Sequence, residues 1–283
     1  MTQAREYRLR LVDRLLDELL TQVSAVMVTG PRASGKTTTA LRRAATVVPL
    51  NAEAQAAAFA ADPDAALRGL PEPVLLDEWQ EVPGVFGAAR RAVDSDPRPN
   101  RFNLTGSVRS EHDNPVWPGT GRFVRVAMYP MTVRERVGDA AAKAFLDKLA
   151  AGDDLGVPSD TPDLRGYVEL AMQSGFPAAA LLLSGRPQRM WLQSYLADLL
   201  THDIEELQDH ATKRRDPVRL RRYFEAYALN SAGVADHKTI FEAVAVAKAT
   251  ATEYEDLLMR LLVVDQMPAW TSNRLKRLVH TPK

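Results

Sequence analysis

Gly30, Gly35, Lys36 and Thr37 stand at the spacing G-x-x-x-x-G-K-[ST], inside Gly30-Pro31-Arg32-Ala33-Ser34-Gly35-Lys36-Thr37-Thr38. Two glycines free the backbone to turn, so that successive N–H groups face inward and cradle phosphate oxygens. Lys36 supplies a point charge for the β- and γ-phosphates of a nucleoside triphosphate, and the Thr37 hydroxyl is a ligand for Mg²⁺. Further along, Val74-Leu75-Leu76-Asp77-Glu78 ends an apolar run in two carboxylates. Beside a phosphate loop, Asp77 is expected to hold Mg²⁺, directly or through a water, and Glu78 to polarise the attacking water. Three apolar residues and Asp-Glu are a weak signal alone; an upstream phosphate loop that needs such a partner gives them force.

Three more positions carry candidate chemistry. Thr105, in Arg101-Phe102-Asn103-Leu104-Thr105-Gly106-Ser107, is the first choice for a polar residue between the carboxylates and the γ-phosphate, with Ser107 and Asn103 behind it. The plain alternative is a turn stabilised by side-chain hydroxyls. Arg122 follows the flexible Gly119-Thr120-Gly121. It is either a group that neutralises transition-state charge, in its own subunit or a neighbour's, or an ordinary exposed arginine. Gln80 either contacts phosphate or a neighbouring subunit or faces solvent.

These residues need elements to place them. Ala25-Val26-Met27-Val28 predicts a buried parallel strand before the loop, and Thr38 to Ala45 a helix after it. Strand, glycine loop and helix are the setting the motif requires, because the helix N-terminus faces the same anion. Leu9, Leu11, Val12, Leu15, Leu16, Leu19 and Leu20 predict an amphipathic helix within Tyr7–Leu20. Tyr7, Arg8 and Arg10 are candidates to line a base or ribose, or else a solvated face with one anchoring aromatic. Val47–Asn51 predicts a second strand and Ala52–Leu70 a helix broken near Asp62-Pro63. Phe86–Val93 reads as helical, Gly119–Val126 as a loop running into a last strand, and Thr132 with Glu135 as a helix cap. Asp163 to Gln208 is helical in pattern, broken at Gly175-Phe176-Pro177, with an apolar stripe from Trp191 to Leu200 that reads as core. Helices over Leu220–Leu229, Asp236–Val246 and Thr250–Leu262 follow, the last capped by Thr250 with Glu253; Val263–Trp270 reads as a strand and turn. Three short helices and a hairpin predict a winged helix-turn-helix.

Composition sets bounds. The 283 residues balance 36 Lys+Arg against 36 Asp+Glu, so global charge gives nucleic-acid binding no support. The third helix of the winged region carries Glu253, Glu255 and Asp256 and little positive charge, while Lys248 and the tail residues Arg274, Lys276 and Arg277 are basic. DNA is therefore a weakly supported partner. There are no cysteines, which removes thiolate chemistry and fits an intracellular, cytoplasmic protein. No apolar run is long enough for a bilayer, and the N-terminus lacks a signal core.

Taken together, the chain resembles a large bacterial and archaeal family of AAA-type ATP-binding proteins, built as an AAA+ core, a helix-turn-helix and a C-terminal domain of uncertain role. The matching stretches are the loop from Gly30 to Thr38, Leu76-Asp77-Glu78-Trp79-Gln80, Leu104-Thr105-Gly106-Ser107, and Tyr129-Pro130-Met131 with Arg134-Glu135. Gly175-Phe176-Pro177, Tyr195 with Asp203, and Tyr254 to Leu262 with Pro268-Ala269-Trp270 extend the likeness over nearly the whole chain. Trp79 stands where the family usually has Ile. The resemblance implies an α/β P-loop NTPase (AAA+-like) core, three layers around a parallel sheet, over residues 1–138. A helical connector or lid over 139–212 and a winged helix-turn-helix over 213–283 follow. It implies ATP/ADP and Mg²⁺ as ligands, and a protein partner or a second copy of the chain as further partners. ATP rather than GTP rests on the resemblance and on the lack of an Asn/Thr-Lys-x-Asp guanine signature. Family members continue beyond the position of Lys283, often with a nuclease-like part, so a further C-terminal region is also implied.

Overall fold

Short apolar runs bounded by polar turns form five parallel strands in the computed structural model, which describes residues 7–107, 121–156, 161–203, 216–231, 233 and 237–266. The strands are β1 (Ala25–Gly30), β2 (Thr46–Pro49), β3 (Val74–Asp77), β4 (Phe102–Ser107) and β5 (Phe123–Ala127), in the order β2-β3-β4-β1-β5. β1 is buried along its whole length. Ala25 and Met27 belong to a core with Phe59, Trp79, Val85 and Phe86, while Val26 and Val28 belong to another with Leu16, Leu20 and Met128. Burial on both faces is why β1 reads as an unbroken apolar run rather than an alternation. Helices on both faces complete three layers.

The helices of this part are α1 (Leu11–Leu20), α2 (Lys36–Leu41), α3 (Glu53–Ala61), α4 (Pro63–Leu67), α5 (Gly84–Ser95) and α6 (Val133–Val137). The expected break at Asp62-Pro63 separates α3 from α4, where the Asp62 side chain accepts from Ala65 N and caps α4. Thr132 and Glu135 form the expected capping box on α6. α1 starts later than expected, because Tyr7–Arg10 is not helical and its N-cap Arg10 is extended; Leu9, Leu11 and Leu15 remain exposed. Next come α7 (Phe145–Ala151), α8 (Leu164–Met172), α9 (Pro177–Leu182) and α10 (Gly185–Asp198), which runs into a π turn at Leu199–Asp203. The last described helices are α11 (Pro217–Leu229), α12 (His237–Ala243) and α13 (Lys248–Arg260).

Two compact units divide the chain at residues 1–189 and 190–283. The second unit has its own core of Leu199, Leu200, Leu220, Tyr223, Tyr254 and Leu258, which includes the end of the Trp191–Leu200 stripe. Two expectations here are corrected. Thr250 does not cap the last helix: Ala247 is the N-cap and α13 starts at Lys248, since Lys and Ala are strong helix formers and extend the helix by a turn's fraction. α11 likewise begins at Pro217 behind the Asp216 cap, an N-terminal signal the apolar spacing alone had missed. The strand expected at Val263–Trp270 is not seen over 263–266, and 267–270 lie outside the described residues, as do Arg274, Lys276 and Arg277. Among the described residues no helix is long and apolar enough to cross a membrane.

Candidate functional site

β1 ends at Gly30 and α2 begins at Lys36, so the glycine motif spans the turn between them. Gly35 is left-handed (φ 94), a conformation glycine adopts freely; Ala33 (φ 59) adopts it at a cost. Gly30 is needed for space: a Cβ there would lie 2.2 Å from the Met128 carbonyl oxygen. Lys36 is 5% exposed, and its Nζ donates to the Gly30 and Pro31 carbonyls at 3.1 and 3.0 Å. Burial holds its pKa below the ordinary 10.5, with Glu78 and Asp77 acting in the opposite direction. Pro31 and Ser34 are buried, whereas Arg32, Ala33 and Thr38 are exposed.

The carboxylates arrive from the adjoining strands. Asp77 is the last residue of β3 and pairs in register with Thr105 of β4, which in turn pairs with Val28 of β1. One oxygen, Asp77 Oδ1, accepts from the Thr37 hydroxyl at 2.8 Å and from the fully buried Thr105 hydroxyl. Glu78 follows in a left-handed conformation (φ 53, ψ 50) that turns the chain into the short 3-10 turn Trp79–Glu81. Its Oε2 accepts from Gln80 Nε2 at 2.5 Å, so Gln80 is engaged with Glu78 rather than directed at solvent. Lys36, Thr37, Asp77, Glu78 and Thr105 thus converge at the carboxyl ends of β1, β3 and β4, where ligands of open α/β sheets bind. Among the described residues there is no group of three or more His, Cys, Asp or Glu side chains suited to a metal. The hard oxygens of Thr37 and Asp77 are the donors present, and two such ligands suit an ion that keeps its waters and binds phosphate.

Other expected residues are elsewhere. Arg122 precedes Phe123, the partner of Ala25 at the start of β1, whereas the loop begins at Gly30. At ~3.3 Å per strand residue, a strand's length separates it from the loop. It pairs with Asp94, Nε to Oδ1 at 2.8 Å, so its guanidinium does not serve the loop of its own chain. Asn103 is buried and donates to the Arg43 carbonyl at 3.3 Å. The Ser107 side chain lies outside the described residues. Tyr7 lines no open base site: its hydroxyl meets Asp13 Oδ2 at 2.9 Å and Thr39 Oγ1 at 2.8 Å, under the Arg42 guanidinium. Burial pushes that phenol up to about 12. Arg8 is exposed.

Arg10 does something the sequence did not disclose. Its buried guanidinium donates to the Ser34 carbonyl at 2.8 Å, to the Tyr129 carbonyl at 2.7 Å and to Glu135 at 3.0 Å. Glu135 also accepts from the Leu11 and Thr132 amides, at 2.6 and 2.7 Å. Arg10 is therefore a strut behind the phosphate loop, tying it to α1 and α6. The Gly175-Phe176-Pro177 break is also part of this region. The Gly175 carbonyl accepts from Met131 N at 2.6 Å, and Pro177 Cγ lies 3.5 Å from where a Gly35 Cβ would be.

Known proteins agree with this architecture. Residues 22–137 match the AAA domain family, and residues 164–283 match a domain of unknown function, DUF8612. The uncharacterized proteins Mb2031c of Mycobacterium bovis and Rv2008c of Mycobacterium tuberculosis are each 29% identical over 272 residues, 95% of this chain. The chain spans about half the length of these curated relatives, 55% of each. The Walker-type ATPase PABY2304 of Pyrococcus abyssi superposes with a TM-score of 0.50 at 16% identity, covering 88% of both chains, a likeness of fold. An AAA-like P-loop fold supports nucleotide binding: the chain is similar to the AAA domain family over residues 22–137 and to a domain of unknown function over residues 164–283.

Proposed function

We propose that this chain binds ATP and hydrolyses it to ADP and phosphate in a Mg²⁺-dependent reaction, using the turnover to drive or gate a conformational change. One observation carries the proposal: Lys36, Thr37, Asp77, Glu78 and Thr105 meet at one edge of the sheet, from three separate stretches of chain. Lys36 and the amides of the Gly30–Thr38 turn hold the phosphates. Lys36 now occupies two loop carbonyls, Gly30 and Pro31, and exchanges them for phosphate oxygens. Thr37 and Asp77 would hold Mg²⁺, whose charge offsets that of the phosphates when it is bound. Thr105 orients the Asp77 carboxylate through their hydrogen bond. Glu78 accepts a proton from the water that attacks the γ-phosphorus, and the ADP oxygen leaves with the bonding pair. Arg122 has no part in this within its own chain.

The test is ATP turnover by the wild type with and without Mg²⁺, beside Lys36→Ala and Glu78→Gln, with nucleotide identified after purification. Turnover lost in both variants, with ATP retained on Glu78→Gln, is the expected result. A wild type that holds nucleotide without consuming it would replace hydrolysis by a nucleotide-gated switch or adaptor. On α13 the exposed Glu253 and Asp256 offset the exposed Lys248 and Arg260, so that helix offers a duplex no net positive charge.

A further inference from the structure

Gln80 is the polar side chain at this edge that the proposed reaction leaves without a role. Its Nε2 donates to Glu78 Oε2 at 2.5 Å. An ionised carboxylate only accepts hydrogen bonds, so the amide end of Gln80 must face Glu78 and the carbonyl end must face away. That carbonyl, Oε1, is buried and has no hydrogen-bond partner. Leaving a buried acceptor unsatisfied is costly, which implies that the orientation toward Glu78 is worth keeping.

The surroundings hold the carboxamide there. Gln80 and Glu78 lie on the same turn, which Trp79 anchors: its ring is 1% exposed and packs 5.1 Å from Phe86. Opposite the turn, Gly106 has no side chain. A Cβ on it would come within 2.7 Å of Gln80 Oε1 and 2.9 Å of Trp79 Nε1. Gly106 pairs with Thr29, the residue before Gly30, and follows Thr105, the partner of Asp77. The carboxamide is thus caged between the Glu78 carboxylate and β4, the strand beside the one that leads into the phosphate loop. An ordinary solvent-facing glutamine needs neither an anchored turn nor a bare Cα across from it.

We propose that Gln80 is a positioning residue for Glu78. Its N–H fixes one carboxylate oxygen and leaves the other to accept from the attacking water. This inference rests on the hydrolysis proposed above. Gln80→Met keeps the length and bulk and removes the donor. Gln80→Asn is one methylene shorter, stays polar, and moves the donor out of reach. Both are expected to lower kcat about tenfold or more, within the range of general-base contributions, and to leave the ATP Kd within twofold. In the Glu78→Gln background Gln80→Met should change the slow residual rate of a single turnover, followed over long incubation, less than twofold, because the group it positions is gone. An unchanged or raised kcat, an equal loss of ATP affinity, or a full loss persisting in that background would overturn the role.

A measurement without turnover separates this from the hydrolysis itself. In thermal unfolding of the nucleotide-free protein, Glu78→Ala, Gln80→Ala and the double variant should shift Tm non-additively. Additive shifts sink the pairing even if the enzyme is active. Non-additive shifts in an inert wild type sink hydrolysis and leave the pairing standing.

Discussion

Lys36 carries two pH dependences of opposite sign. Burial lowers its pKa in the folded protein, whereas the unfolded chain keeps the ordinary 10.5. Between those values the unfolded state binds more protons, so the nucleotide-free protein gains stability from Lys36 as pH rises through that window. The phosphate grip needs the ammonium form, so nucleotide affinity falls over the same window, tempered by bound phosphate, which favours the charge. Nucleotide Kd measured against pH should therefore rise on the alkaline side in the wild type and stay flatter in Lys36→Met. Thr105 gives a second test. Its hydroxyl is fully buried and donates to Asp77 Oδ1, beside the Thr37 hydroxyl. Thr105→Val keeps the shape and removes the donor, so denaturant unfolding should show a loss of about 1–3 kcal/mol. Thr105→Ser should recover most of it. Lys36, Thr37 and Asp77 were legible in the sequence because a phosphate loop constrains spacing and residue type together. For Arg122 only the role within its own chain falls, because a Gly-x-Gly before a strand marks a loop without saying at which end of the sheet it lies. The β5 register, with Phe123 opposite Ala25, decides that.

Elements were legible where their signals are local. The apolar runs of β1 and β3, the Asp62-Pro63 break and the Thr132–Glu135 capping box all sit within a few residues of what they specify. The strut of Arg10 and Glu135 joins residues 125 apart, and no local pattern announces it. Glu135 shows how a local signal can hide a distant one, because its capping bond to Thr132 accounts for it in sequence while its other oxygen takes Arg10 and Leu11. Both charged side chains are about one-twentieth exposed. Removing one partner of a buried pair leaves the other uncompensated, typically at about 3–5 kcal/mol. Arg10→Met should lower the unfolding free energy by that order. It should also weaken nucleotide binding, because the Ser34 carbonyl loses the donor that holds the phosphate loop against α1. A variant that loses stability and binds nucleotide as tightly as the wild type would show that the loop keeps its shape unaided.

At the scale of the molecule, the α/β class follows from strands alternating with helices, whereas the strand order β2-β3-β4-β1-β5 is a property of long-range pairing. The second unit was harder to read, because short helices specify many packings. Its core is not purely apolar. Tyr223, fully buried, meets His237 Nε2 at 2.9 Å, and Glu255 accepts from Tyr227 and Gln266 at 3.1 and 2.6 Å. Burial beside Glu255 raises the Tyr223 and Tyr227 phenols, so both stay neutral near pH 7. Such a polar cluster is satisfied only while the apolar contacts around it hold α11, α12 and α13 together. Leu258 is fully buried in that core with Leu220 and Tyr254. Leu258→Ala should therefore cost about 2–5 kcal/mol, the range for cavities left by leucine. The loss reaches the upper end where Tyr223 and Glu255 lose partners as the helices shift. Every residue of the phosphate loop belongs to residues 1–189, so the nucleotide Kd should stay within twofold while denaturant unfolding of the 190–283 unit moves. A large rise in Kd in this variant would instead mean that the second unit's core holds the nucleotide site in its binding shape.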